Sequence, residues 1–197
     1  MSQEMSQYKG LDYKLDGIDY HQLAMVDKDN QLHTQNSSAA EIREAYNFKK
    51  IVESYLDSKE GKSLVKYLND KNHQPREIFH YGAGPLGKNT VAAVAMGDLE
   101  ANILTNYQDG KGFSARVREF VDTYQKLGIN LQYAEGQEYI LAHELAHLAG
   151  YITERSAEGA LANIYGDMAK AEPKKGKYNR LTQVAKIRKE QAKKKEN

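Results

Sequence analysis

His143, Glu144, Leu145, Ala146 and His147 constrain this chain more than any other stretch, because their spacing is useful only on a helix. At 3.6 residues per turn, side chains four positions apart project from one face, one turn apart. The neighbours agree. Leu141, Leu145 and Leu148 recur at i, i+4, i+7 as an apolar stripe, and Gly150 supplies a C-terminal stop. The pattern predicts a helix over 139–149, anchored by leucines on one side and presenting Tyr139, His143 and His147 on another. A plain buried helix with hydrogen-bonded histidines is the rival, and it does not explain why both imidazoles leave the leucine stripe.

Two imidazoles one turn apart form a donor pair for Zn²⁺, which binds histidine nitrogen at about 2.0–2.1 Å. Glu144, beside the first of them, is then placed to take a proton from a metal-bound water. A catalytic zinc keeps three protein ligands and one water, so a third ligand is expected close by. Glu154 and Glu158 compete for that place. Gly150 allows a sharp turn, and Thr153 can N-cap a second helix from 154 to about 170. The two glutamates are i, i+4 and point the same way, so one can bind metal while the other fixes a histidine tautomer. Tyr151, in the turn, is a candidate oxyanion partner, whereas Tyr165 stands about 16 Å along the helix from Glu154, too far to serve.

With these residues in hand, the chain resembles a known family. H-E-x-x-H followed by a helical glutamate is the gluzincin pattern of zinc metallopeptidases. Glu154-Arg155-Ser156-Ala157-Glu158 is similar to the E-x-x-A-D element of the membrane-embedded HtpX-type gluzincins and of their small soluble relatives, the minigluzincins. An E-x-x-A-N version occurs in regulatory peptidases of the ImmA/IrrE type. The resemblance covers about 30 residues, 139–168. It implies that His143, His147 and Glu154 hold zinc, that Glu144 is the catalytic base and that Glu158 orients a ligand histidine. Two departures stand out: the gap from His147 to Glu154 is short for a gluzincin, and Glu158 is one methylene longer than the family's aspartate. Residue 153, where a metzincin places its third histidine, is a threonine.

Charge is unevenly spread. Residues 170–197 hold eleven Lys/Arg against three Glu, a balance of +8, while the whole chain carries +1, leaving −7 for 1–169. With few apolar residues, this tail is expected to be a solvated, partly helical or disordered extension; it could hold nucleic acid through residues 174–197, from Lys174 onward, or fold over the acidic body as an inhibitory segment. No apolar run approaches the 18 residues of a membrane span, residues 1–14 are polar rather than signal-like, and cysteine is absent, which excludes disulfides and thiol catalysis. A cytoplasmic protein without membrane contact is expected.

Organisation along the chain points to an α+β, zincin-like fold, with a small mixed or antiparallel sheet packed on the H-E-x-x-H helix and the following glutamate helix. A hairpin is expected over 21–35 around Asp27-Lys28-Asp29-Asn30, a helix after a capping box at Ser38 and Glu41, and a short helix over 63–69. Strands are expected over 77–81, 90–96 and 100–105, and a helix over 114–127 with Gly128 past its end. The implied divisions are 1–36, an extension with the hairpin; 37–169, the catalytic domain; and 170–197, the basic tail. By the resemblance, 90–96 or 100–105 supplies an edge strand for an extended substrate. Gly82 to Lys88 satisfies G-x-x-x-x-G-K, but Asn89 replaces the Ser/Thr a P-loop needs, so a glycine loop at the cleft entrance is expected instead. The function expected is hydrolysis of peptide or protein substrates by a zinc metallopeptidase. The alternative is a zincin-derived regulatory protein that binds nucleic acid through the basic tail.

Overall fold

The computed structural model describes residues 22–26, 32–36, 39–70, 79–84, 86, 90–96 and 101–196. They form an α+β fold, mostly helical, and the chain divides into two compact units: 1–54 with 76–116, and 55–75 with 117–197.

In the first unit, β1 (Gln22–Val26) pairs antiparallel with β2 (Leu32–Asn36), in register from Gln22↔Asn36 to Val26↔Leu32. This is the expected hairpin; its turn, like Ser38 of the expected capping box, lies outside the described residues. Helix α1 (Ala39–Asp57) buries Ala45, Phe48 and Val52, at i, i+3, i+7. Phe48 meets Phe113 with ring centroids 4.9 Å apart, and Glu44 Oε1 accepts from the Phe113 backbone N–H at 2.7 Å. A carboxylate there satisfies an orphan donor at the start of helix α3 (Phe113–Lys126).

The sheet of this unit has three strands, β3 (Phe79–Gly84), β4 (Ala92–Met96) and β5 (Ala101–Asn106), in the order β3-β5-β4. β5 runs parallel to β3 and antiparallel to β4. It is therefore the central strand, so 100–105 cannot serve as a free edge; of the two segments considered, only 90–96 lies at one. Gly82, Ala83 and Gly84 belong to β3 and pair with Leu104, Thr105 and Asn106 rather than forming a loop. Strand, not helix, follows Lys88 among the described residues, which removes the phosphate-cradling geometry of a P-loop. Asn106 pins the connection: its Oδ1 accepts from Leu86 N–H at 3.2 Å and its Nδ2 donates to Thr90 O at 2.6 Å.

The second unit is built from α2 (Lys59–Asp70), the later part of α3, α4 (Tyr133–Leu148), α5 (Glu154–Ala171) and α6 (Gly176–Glu196). Helix α4 starts six residues before the expected 139, because the Gln132 N–H is met by Glu135 Oε2 at 3.1 Å and the added turn packs tightly. At Gly136, a β-carbon would stand 2.5 Å from Val121 Cγ2, so glycine permits the close approach of α4 and α3. α4 is buried on nearly every side, not on its leucine stripe alone.

The basic tail is not a solvated extension. Tyr178, Leu181, Val184 and Ala185 are buried where α6 packs, chiefly on α5, and Leu181 and Val184 each contribute about 1.5–3 kcal/mol on leaving water. Cations of α6 also meet buried carboxylates of α4. Arg180 grips Glu135 through two bonds of 2.9 and 2.5 Å, and Lys177 bridges Glu138 at 2.9 Å and Glu60 of α2 at 3.0 Å.

Candidate metal centre

The end of α4 sets the geometry. Gly150 takes φ +97°, its N–H donates to His147 O at 2.9 Å, and the Tyr151 N–H reaches back to Ala146 O at 3.1 Å. This pairing closes the helix and reverses the chain, a conformation glycine adopts without strain. Thr153 then caps α5: its Oγ1 accepts from Ser156 N–H, and Ser156 Oγ accepts from Thr153 N–H, both at 3.1 Å. Glu154, the first residue of α5, is thereby carried back over the last turn of α4.

The three candidate donors meet. His143 Nε2 and His147 Nε2 are 3.1 Å apart, His143 Nε2 is 3.3 Å from Glu154 Oε2, and His147 Nε2 is 3.5 Å from Glu154 Oε1. Four ligands around zinc at about 2.0–2.1 Å are separated by about 3.3 Å, the edge of the tetrahedron. The donor set and its spacing fit a zinc ion, with each carboxylate oxygen facing one imidazole. No other group of three His, Cys, Asp or Glu side chains among the described residues converges in this way. The side chain of Glu154 is 61% exposed, so the donors are reachable from solvent on its side.

Both outward-facing ring nitrogens are engaged. His147 Nδ1 lies 2.7 Å from Tyr151 O, which fixes its Nε2 as the free lone pair. His143 Nδ1 lies 3.1 Å from Glu158 Oε1, a close polar contact but not an aligned hydrogen bond. Glu158 is fully buried on α5; Tyr139 donates its phenol proton to Oε2, and Arg188 of α6 donates through Nε to Oε1. Glu158 thus lies behind His143, while Glu154 lies in front. Glu144 is buried as well, and its Oε2 has no hydrogen-bond partner. A buried carboxylate oxygen left bare costs stability, and a catalytic role is one reason for a fold to keep it.

Electrostatics follow from this crowding. Burial alone would push His143 down, but Glu154 and Glu158 raise it to about 9. The neighbouring imidazoles, His143 first and then His147, hold Glu154 well below the usual carboxylate range. Burial would raise Glu158, yet His143 and Arg188 hold it low. Burial raises Glu144, only partly offset by the two imidazoles.

His143 is consequently protonated at neutral pH in the metal-free protein. Zinc needs the neutral ring, so binding at pH 7 should release about one proton per zinc from this residue, and affinity should fall as pH drops below about 9. Calorimetric zinc titration in two buffers of different ionisation enthalpy measures that release; none would contradict the pairing of His143 with Glu154 and Glu158.

Tyr165 is a core residue, buried and stacked on Tyr139 at 6.2 Å, and Tyr151 engages His147 through its backbone carbonyl rather than its phenol. Sequence reasoning missed Arg188 and the contact of Tyr139 with Glu158. The apolar positions Leu181, Val184 and Ala185 were the available sign that the tail is an amphipathic helix able to bring Arg188 inward. No protein-family model, curated protein or solved structure matches the chain. Among the described residues, no helix is long and apolar enough to cross a membrane.

Proposed function

We propose that the chain is a zinc-dependent peptidase with a zincin-like, gluzincin-type centre, hydrolysing peptide bonds of peptide or protein substrates. The observation that carries this reading is the spacing of His143 Nε2, His147 Nε2 and the Glu154 carboxylate, 3.1 to 3.5 Å apart, together with the partners behind both rings. Those three residues would hold the metal. When bound, zinc supplies an activated water and polarises the scissile carbonyl. Glu144 is the general base. Its buried, unpartnered Oε2 would accept the proton of that water and hand it on to the leaving amine. The Tyr151 carbonyl keeps His147 in the tautomer that presents Nε2, and the negative charge of Glu158 beside His143 Nδ1 favours the same tautomer there.

The nucleic-acid alternative loses ground to the same geometry. Lys170, Lys175, Lys177, Arg180 and Arg188, five of the eleven cations in 170–197, are paired with carboxylates within the protein. The test of the peptidase reading is cleavage of a quenched-fluorescence peptide library. We expect turnover in zinc-replete protein, loss on chelation and recovery on adding zinc back. A zinc-replete protein that cleaves no member of a broad library would contradict it.

A further inference from the structure

Arg188 stands in the segment whose composition suggests only solvated charge, yet it is aimed at the metal centre. From α6 its Nε donates to Glu158 Oε1, and its Nη2 lies 3.6 Å from Glu154 Oε2. The guanidinium carbon is 5.9 Å from the ring centroid of Phe120 and 6.0 Å from that of Tyr139, so two aromatic faces fix its plane. Its side chain is 29% exposed, well withdrawn from solvent for an arginine.

Charge balance explains why such a residue is needed. Glu144, Glu154 and Glu158 bring three negative charges around two imidazoles, and two of these residues are buried. A divalent cation leaves one negative charge uncompensated; Arg188 makes the sum zero. The guanidinium fork can also hold two carboxylates at fixed separation, which a lysine cannot do.

We propose that Arg188 is a positioning residue of the metal centre: by clamping Glu158 behind His143 and steadying Glu154 in front, it makes the docked α6 a requirement for tight zinc binding. This rests on the zinc reading above and assigns the basic C-terminal helix a part in it. The residue touches neither substrate nor metal, and it acts through the two glutamates.

The test is zinc affinity of the full chain, measured by competition with a chromophoric chelator, for wild type, Arg188→Met, Arg188→Lys, Glu158→Gln and the Arg188→Met/Glu158→Gln pair. Circular dichroism and thermal melting of each metal-free protein report folding. Arg188→Met should bind zinc about 10- to 100-fold more weakly than wild type while remaining folded, the range typical for loss of a partner behind a metal ligand. Arg188→Lys should recover part of that loss. In the Glu158→Gln background, the Met change should have a smaller effect than in wild type, because the residue it acts through has already lost its charge. Arg188→Met within twofold of wild type, an effect undiminished in the Glu158→Gln background, or failure of both Arg188 variants to fold would overturn the proposal. Wild type that binds no zinc would overturn the zinc reading as well, whereas wild type that binds normally beside an unaffected Arg188→Met removes only the role given to Arg188.

Discussion

Glu144→Gln is expected to retain zinc at the wild-type level while peptide hydrolysis falls by about 10²–10⁴-fold, the usual contribution of a positioned base. The replacement keeps size and polarity in a buried place, so α4 and the two imidazoles should stay where they are. What it removes is the capacity to accept a proton. Burial holds Glu144 above the ordinary carboxylate range, with the imidazoles of His143 and His147 opposing the rise. Steady-state rates and elemental analysis on the same samples separate chemistry from metal loss. Hydrolysis close to wild type in the Gln variant would exclude the proposed base.

The second large effect is structural. Gly61→Ala should destabilise the fold by ~2–3 kcal/mol, in the range found for overpacked sites, and lower the melting temperature by ~4–12 °C for a chain of this size. A β-carbon at Gly61 would overlap the backbone carbonyl of Tyr55. Backbone, unlike the end of a long side chain, cannot swing away. The gain in helix propensity, about 1 kcal/mol for alanine over glycine, offsets only part of this. Ser58 closes the same corner, with its hydroxyl donating to Tyr55 O at 2.5 Å and accepting from Gly61 N–H at 3.0 Å. The neighbouring Glu60 is one of the two carboxylates that hold Lys177 of α6. A melting temperature unchanged within about 1 °C would show that the corner is looser than its contacts imply.

The two sequence signals that proved most legible were periodicity and capping. Leu141, Leu145 and Leu148, then Gly150 and Thr153, marked the end of α4 and the start of α5, and with them the places of His143, His147 and Glu154. These are local effects: a helix, a glycine reversal and a hydroxyl cap need no knowledge of distant residues. The parts that escaped are those decided across the fold. The early start of α4 depends on Gly136 meeting Val121, and the strand character of Gly82 to Gly84 depends on pairing with β5. Composition misled most at the C-terminal segment. Its lysines dominate the average, but Tyr178, Leu181, Val184 and Ala185 lie at helical spacing and decide where the segment goes. Arg188 could be read as a site residue only once that helix was docked.

Convergence of His143, His147 and Glu154 on one zinc ion is tested most directly by metal stoichiometry. Zinc-replete protein, freed of excess metal and measured by elemental analysis, should carry one zinc per chain. His147→Ala should carry almost none and Glu154→Ala much less than wild type, with Glu158→Ala losing less than Glu154→Ala. A wild type without zinc, or full retention in both His147→Ala and Glu154→Ala, would contradict the assignment.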